Sequence, residues 1–221
     1  MSNPFNELAH QWWDCNGPFK TLHDINHCRL NFIEQYVSCK NKQILDLGCG
    51  GGILTESLAR LGGHVTGIDI EANLIEVAKL HARAEQLQID YVNIAVEQYA
   101  EKQFDIIVCM EMLEHVKSPM AIIKECRRLL KPTGVMFLST INRTIKAYFE
   151  LILMGEYVLR LLPRQTHDYQ QFIQPSELDD YLRMNQLRIT HLRGMGYNPL
   201  NRTAFLRDNV DVNYLLMASA L

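Results

Sequence analysis

A glycine-rich segment flanked by two acidic residues has the residue types and spacing of a nucleoside-binding site. The segment is Asp46-Leu47-Gly48-Cys49-Gly50-Gly51-Gly52, and Asp69 follows 21 positions after Gly48. Glycines at positions 48 and 50 permit positive φ angles and let a ligand approach the backbone closely. The Asp69 carboxylate, at the expected end of a strand, can accept two hydrogen bonds from a ribose diol. The pattern therefore predicts that Gly48, Gly50 and Asp69 contact a nucleoside-type cofactor.

Two departures separate this segment from the dinucleotide-binding pattern. The third glycine of that pattern is replaced by Ile53, and Asp46 lies two positions before the first glycine. The third glycine normally allows close helix–strand packing over a pyrophosphate, so its loss disfavours a dehydrogenase. An acid at position 46 suits a ligand that carries a cation. The segment resembles motif I of the class I S-adenosylmethionine (SAM) methyltransferases, which implies SAM as the methyl donor, while a turn that binds no ligand is the alternative.

A second group of chemically capable side chains follows the fourth predicted strand, at Glu111, Glu114 and His115. In an open α/β sheet, ligands bind at this carboxyl end of the strands. If the segment is helical, the i, i+3 and i, i+4 spacing places all three side chains on one face. Two carboxylates and an imidazole could bind a divalent metal such as Mg²⁺ or act as a general base. The alternative is that His115 only orients a loop in an enzyme that uses no metal, so the metal remains open.

The composition predicts one soluble globular domain over residues 1–221. Hydrophobic residues make up 48% of the chain, charged residues 21%, and the formal net charge is −3, which gives no bulk attraction to nucleic acid. The six cysteines form no CxxC pair and are predicted to be reduced thiols. The first ten residues lack a basic and apolar leader. These features predict a cytoplasmic protein without a transmembrane helix.

Strands and helices are predicted to alternate from Gln43 to Thr140. Continuous apolar runs separated by helical periodicity indicate a parallel sheet covered by helices on both faces. Two late strands after a helix fit an antiparallel end, which gives a seven-stranded, mostly parallel sheet with an antiparallel last strand. The predicted strands are 43–47, 64–68, 89–94, 104–110, 134–140, 187–192 and 212–218, and the predicted helices are 52–61, 72–85, 119–130 and 175–184.

Two further segments flank this alternating region. Residues 1–40 are predicted to be helical and amphipathic, with a Trp12-Trp13 pair that either covers the core or belongs to a lid over the active site. Residues 142–164, within an insertion predicted to span 142–170, are apolar and aromatic with flanking cations. Such a segment is either an interfacial membrane helix or a lid packed on the core.

Several motifs follow one another in order along the chain: Trp12-Trp13-Asp14, Leu22-His23-Asp24-Ile25-Asn26, Arg29-Leu30, the glycine segment, Cys109 to Val116, Thr166-His167-Asp168, Tyr197-Asn198-Pro199 and Asp211-Val212-Asn213-Tyr214. With these motifs the chain resembles, over nearly its whole length, the bacterial ubiquinone-biosynthesis O-methyltransferases. The resemblance implies the class I (Rossmann-like) fold, methylation of polyprenylated phenols and catechols at both O-methylation steps, and SAM contacts at Arg29, Gly48, Asp69 and Met110. It also implies a location on the inner face of the cytoplasmic membrane and association with other enzymes of the pathway.

The roles implied for these residues agree with their chemistry. The planar guanidinium of Arg29 suits the methionine carboxylate, and Met110 offers a soft apolar wall to the adenine or sulfonium.

Three rival functions remain: a SAM-dependent methylase of another small hydrophobic phenol, a nucleic-acid methyltransferase, and a binding protein with a vestigial SAM fold. The nucleic-acid reading is disfavoured because Glu111-Met112-Leu113-Glu114 stands where N-methylating enzymes often carry an Asn/Asp-Pro-Pro-Tyr motif.

Overall fold

A single sheet organises the part of the chain that the computed structural model describes, residues 8–100, 102–148 and 169–221. Its strands are β1 Gln43–Leu47, β2 His64–Asp69, β3 Asp90–Asn93, β4 Phe104–Met110, β5 Leu130–Ile141, β6 Leu187–Asn198, β7 Thr203–Arg207 and β8 Asn213–Ala220. Among the described residues the strand order is β3-β2-β1-β4-β5-β8-β6-β7. Strands β1 to β5 are parallel, and β8 lies antiparallel between β5 and β6.

The predicted fold class is confirmed, with one difference in strand number. Within the described residues the sheet has eight strands, not seven, because β7 forms an antiparallel hairpin with β6. The prediction ended β6 at Leu192, whereas the strand continues to Asn198. This extension brings the chain back through a short turn, so that Ala204 pairs with Tyr197. The antiparallel end of the sheet was predicted correctly.

Helices cover both faces of the sheet, as predicted. One face packs against α1 and α2 through a buried cluster that includes Phe32, Leu58 and Phe137. The opposite face packs against α4 and α6 through a cluster that includes Ile123 and Leu178. The helices within the described residues are α1 Lys20–Glu34, α2 Ile53–Arg60, α3 Ala72–Ala84, α4 Pro119–Leu129, the single turn α5 Ile145–Ala147, and α6 Pro175–Met184.

Strand β5 determines which face each neighbouring side chain can reach. Successive side chains of a strand point to opposite faces of the sheet. Phe137 belongs to the cluster beneath α1 and Leu138 to the cluster beneath α4. Ser139 therefore lies on the α1 face, and Thr140 lies on the α4 face. This alternation separates the side chains of Glu111 and Glu114, which are only three positions apart in the sequence.

Parts of the predicted flanking segments lie outside the described residues. These parts are residues 1–7 and 149–168, so most of the 142–170 insertion and the Thr166-His167-Asp168 motif are not placed. In the described ranges, no helix combines the length and apolarity needed to cross a membrane. All six cysteines are described and unpaired, and five of them are buried.

Candidate active site

The glycine turn between β1 and α2 adopts the backbone conformation that the sequence predicts. Gly48 and Gly50 have φ angles of 72° and 54°, in the left-handed region that side chains disfavour. Gly52, which precedes the first residue of α2, has a φ of 95°. The turn thus presents backbone rather than side chains at the carboxyl end of β1, and α2 directs its amino terminus toward it.

Asp69, the last residue of β2, braces the glycine turn. One carboxylate oxygen, Oδ2, accepts a hydrogen bond of 2.9 Å from the Gly50 backbone N–H. The other, Oδ1, accepts one of 2.9 Å from the Glu71 N–H. Burial raises the pKa of Asp69, and these backbone hydrogen bonds oppose the rise. Each carboxylate oxygen has a second lone pair, so the predicted contact with a ribose diol remains open to it.

Asp46 is a buried acid beneath the glycine turn, at the end of β1. Its side chain is 3% exposed, and its Oδ2 accepts a hydrogen bond of 2.6 Å from Thr55 Oγ1 on α2. Burial raises the pKa of Asp46 to about 6, against the lowering effects of the Thr55 hydrogen bond and the Arg29 charge. Asp46 is therefore positioned to attract a cation, as the sequence indicated, and its charge is costly to maintain without one.

Arg29, on α1, is buried against the carboxyl ends of the strands. It forms an ion pair with Glu111, and the two side chains are 6% and 16% exposed. Within the described residues, its buried Nε has no hydrogen-bond partner. The sequence predicted a ligand carboxylate for Arg29, and the structure shows a protein carboxylate on one part of the guanidinium. The unpaired Nε leaves donor capacity for a second carboxylate.

Glu111, Glu114 and His115 do not share one helical face, because the helical condition of that prediction is not met. The helical segment is a single 3₁₀ turn, Leu113–His115, and Glu111 lies outside it with a φ of 49°. Glu111 accepts a hydrogen bond from Ser139, whereas buried Glu114 accepts one of 2.7 Å from Thr140 Oγ1. Because neighbouring strand residues face opposite ways, the two carboxylates are bound from opposite faces of β5.

The separation of these side chains affects whether they could bind the divalent metal that the sequence left undecided. Across the ranges that the structure describes, no group of three or more His, Cys, Asp or Glu side chains could hold a metal ion. Glu111 is engaged by Arg29, and Glu114 is engaged by Thr140. His115 is exposed at the end of its turn. The donor set in the described residues therefore does not fit a divalent metal.

A methionine that the prediction does not single out contacts the glycine turn. A Cβ added at Gly48 would lie 2.7 Å from Cγ of Met112. Met110, the predicted apolar wall, ends β4 and belongs to the buried cluster beneath α1. The sequence could not distinguish the two, because their environments depend on how the chain turns at Glu111.

The residues that precede α1, 8–19, form a strap over the glycine turn. We call this segment the N-terminal strap. The Trp12 indole is 6% exposed and packs so closely that a Cβ added at Gly51 would lie 2.4 Å from it. Trp13 Nε1 donates a hydrogen bond of 3.0 Å to the Gly51 carbonyl, and its ring stacks on His81 at 3.5 Å. The Trp12-Trp13 motif thus covers the turn from outside.

Two of the sequence motifs meet beside the strap. Asp24 of α1 accepts hydrogen bonds from Tyr197 Oη at 2.7 Å and from the Arg202 guanidinium at 2.9 Å. Arg202 also donates to the Cys15 carbonyl at 2.5 Å. The β6–β7 hairpin is thereby tied to both α1 and the strap. Arg193 and Arg202 both form ion pairs with carboxylates, which disfavours nucleic-acid binding by these two arginines.

The charges of the site match a ligand that carries both a carboxylate and cationic groups and has a net positive charge. Arg29 lowers the pKa of Asp46, whereas Asp69 and Glu111 raise it, so these four groups act on one another. Three carboxylates against one guanidinium leave negative charge to be balanced. SAM carries a sulfonium, an ammonium and a carboxylate, and the acids and the unpaired Arg29 Nε can match these groups. The site therefore fits SAM.

Comparison with known proteins identifies the family. Residues 45–138 match the model of the methyltransferase domain family. Magnesium protoporphyrin IX methyltransferase from Synechocystis, solved with bound SAH, has the same fold, with a TM-score of 0.74 and 18% identity over 98% of this chain and 96% of that one.

Two relatives are much closer in sequence. The ubiquinone biosynthesis O-methyltransferase of Nitrosococcus oceani is 51% identical over 96% of this chain and 91% of its own length. That of Pseudomonas aeruginosa is 48% identical over 96% of this chain and 93% of its own length. Such identity over nearly the entire chain shows that it belongs to the ubiquinone biosynthesis O-methyltransferase family, within the class I SAM-dependent methyltransferases.

Proposed function

We propose that the chain transfers a methyl group from SAM to phenolic hydroxyls of polyprenylated phenols and catechols, at both O-methylation steps of ubiquinone biosynthesis. Family membership supports the acceptor class, since the relatives are ubiquinone biosynthesis O-methyltransferases. The observation that carries the cofactor is the group of Asp46, Asp69, Glu111 and Arg29 around the glycine turn, with its excess of negative charge and an unpaired guanidinium nitrogen. A methylase of another hydrophobic phenol is the second candidate.

The chain's own residues have three tasks in this reaction. When bound, SAM supplies a methyl group that its sulfonium already activates. Asp46 and Asp69 bind the cationic and ribose parts of that ligand, and Arg29 binds its carboxylate. The acceptor must also lose a proton, because a phenol with a pKa near 10 is a poor nucleophile. We assign that proton to His115, because imidazole is the side chain that most often acts as a general base and this one is exposed, while Glu114 is held by Thr140.

The N-terminal strap supports the proposed lid role of residues 1–40. Trp12 packs with Phe19, Ile53 and Leu74 in a buried cluster above the glycine turn. A cover of this kind excludes water, and methyl transfer from a sulfonium to a phenolate neutralises charge, so a dry site favours it. We propose that the strap closes the SAM side of the site and that the 142–170 insertion closes the acceptor side.

Transfer of labelled methyl groups tests the proposed function. We expect the purified protein to methylate a short-chain demethylubiquinol with labelled SAM, both with and without EDTA, since the described donor set does not fit a metal. His115→Asn should lose turnover at saturating SAM yet bind SAM as the native chain does. Transfer to simple phenols but not to the demethylubiquinol would favour the second candidate, and loss of transfer only with EDTA would establish a metal.

Peripheral membrane association is a further part of the proposal. A polyprenyl substrate dissolves in the membrane, and the first residues of the insertion include Ile145 and Tyr148, which are 84% and 40% exposed. We expect charged replacements of Leu151, Leu153 and Tyr157 to abolish sedimentation with anionic liposomes while SAM affinity stays unchanged. Leu200→Glu is the matched control, because Leu200 is 95% exposed in the turn between β6 and β7. Unchanged sedimentation of the insertion variant would refute the membrane role.

Association with other enzymes of the pathway is tested by co-purification.

A further inference from the structure

The Ser139 hydroxyl makes two hydrogen bonds to one residue, Glu111. Its hydroxyl donates to the Glu111 carboxylate, Oε1, at 2.6 Å and accepts from the Glu111 backbone N–H at 3.0 Å. Ser139 is 1% exposed, on the α1 face of β5. A single hydroxyl thus fixes both the backbone and the side chain of Glu111.

Glu111 needs such support because its backbone is strained. Its φ of 49° lies in the left-handed region, which a glutamate rarely adopts. Residues held in this region persist when their surroundings over-determine them, and they concentrate at binding and catalytic sites. The Glu111 backbone N–H also lies 3.2 Å from the Ser139 carbonyl, so Ser139 offers it two acceptors.

The other Glu111 carboxylate oxygen, Oε2, faces Arg29. The ion pair engages Nη2 of the guanidinium, whereas the buried Nε has no hydrogen-bond partner within the described residues. A guanidinium is planar, so fixing one nitrogen restricts the direction of the others. Ser139, Glu111 and Arg29 therefore form a chain of contacts from the centre of the sheet to an unused donor.

We propose that Ser139 is a positioning residue for SAM binding: it holds Glu111 in the left-handed conformation, and Glu111 orients Arg29 toward the carboxylate of the methyl donor. This inference rests on the proposed function and assigns Glu111 a role other than base or metal ligand. It explains why a residue with a strained backbone stands directly after β4. It also explains why a serine occupies a buried position in the apolar strand β5.

Isothermal titration of SAM into single and double variants tests the proposal. We expect Ser139→Ala to weaken SAM binding about 10-fold while turnover at saturating SAM changes less than about twofold, because the acceptor side is untouched. Glu111→Gln should weaken SAM binding at least as much. The double variant Ser139→Ala/Glu111→Gln should bind no more weakly than Glu111→Gln, since Ser139 acts through Glu111.

Two further variants keep the test decisive. Ser219→Ala, on the adjacent strand β8, removes a part-buried serine hydroxyl that donates to the neighbouring Ala220 carbonyl, and it should bind SAM as the native chain does. In Glu111→Gly, glycine adopts the left-handed φ of this position without strain but lacks the carboxylate. This variant should therefore fold and still lose affinity for SAM. Native-like affinity in Ser139→Ala or Glu111→Gly, or additive losses in the double variant, would overturn the proposal. Failure of the native chain to bind SAM would instead refute the proposed function.

Discussion

Replacing Asp46 with asparagine should weaken SAM binding by at least about 100-fold without lowering the stability of the fold. The Asp46 carboxylate is buried, so any ligand cation near it is poorly screened by solvent. Truncating one partner of a buried charge pair typically costs about 2–5 kcal/mol of binding free energy. A 100-fold loss corresponds to about 2.8 kcal/mol, near the lower end of that range.

The same substitution should raise the thermal midpoint of unfolding. Burial raises the Asp46 pKa from 3.8 in the unfolded chain to about 6, so the folded state favours the protonated acid. The ionised carboxylate therefore costs stability above pH 6, and that cost disappears below about pH 4. Two pKa units correspond to about 3 kcal/mol at neutral pH. Asparagine is neutral and can still accept the Thr55 hydrogen bond.

The pH dependence of SAM binding separates Asp46 from its neighbours. The native chain should bind SAM with constant affinity above about pH 7 and lose affinity as the pH falls through 6, where Asp46 takes up a proton. Asp46→Asn should lack most of that dependence, although Asp69 and Glu111 also face the site. Asp90→Asn, at the exposed start of β3, is the control and should change neither quantity. Equal affinities of Asp46→Asn and the native chain would exclude the proposed cation site.

The sequence predicts the parallel half of the sheet better than the antiparallel end. β1, β4 and α6 have the predicted bounds, because each combines a clear apolar pattern with Gly, Pro or Asp at its ends. β7 was missed because it is short and only one of its five residues, Ala204, is buried. It owes its strand conformation to pairing with β6 and to packing against α1, which no local pattern indicates.

In the candidate site, too, features that depend on the local sequence could be predicted, whereas contacts between distant parts of the chain could not. Gly48, Gly50 and Asp69 could be predicted because their roles depend on local backbone geometry, strand–turn–helix–strand. Ser139 could not, because it contacts the site from a distant part of the chain, and for Trp12 the sequence left both the core and a lid open. Ser139 lies 28 positions from Glu111. Only the register of β4 with β5, in which Met110 pairs with Ser139, brings that hydroxyl to the residue after β4.

Gly51→Ala should weaken SAM binding about 10- to 100-fold by displacing the N-terminal strap. Gly51 is not among the glycines with a positive φ, so alanine fits its backbone and the effect is steric. The added Cβ would lie 2.4 to 2.8 Å from three atoms of the Trp12 indole. Trp12 is buried and cannot yield without moving the strap. A displacement of about 1 Å in a closed site can cost 100-fold in turnover.

A second substitution shows whether the strap transmits this effect. In the Trp12→Ala background the Cβ added at position 51 no longer meets the indole. Trp12→Ala/Gly51→Ala should therefore bind SAM no more weakly than Trp12→Ala alone. Trypsin should cleave Gly51→Ala faster than the native chain at Lys20, where α1 begins. If Gly51→Ala binds SAM normally, the strap does not close the site. If the double variant binds more weakly than Trp12→Ala, then Gly51 contributes through its own backbone, because the loss persists when the indole is gone.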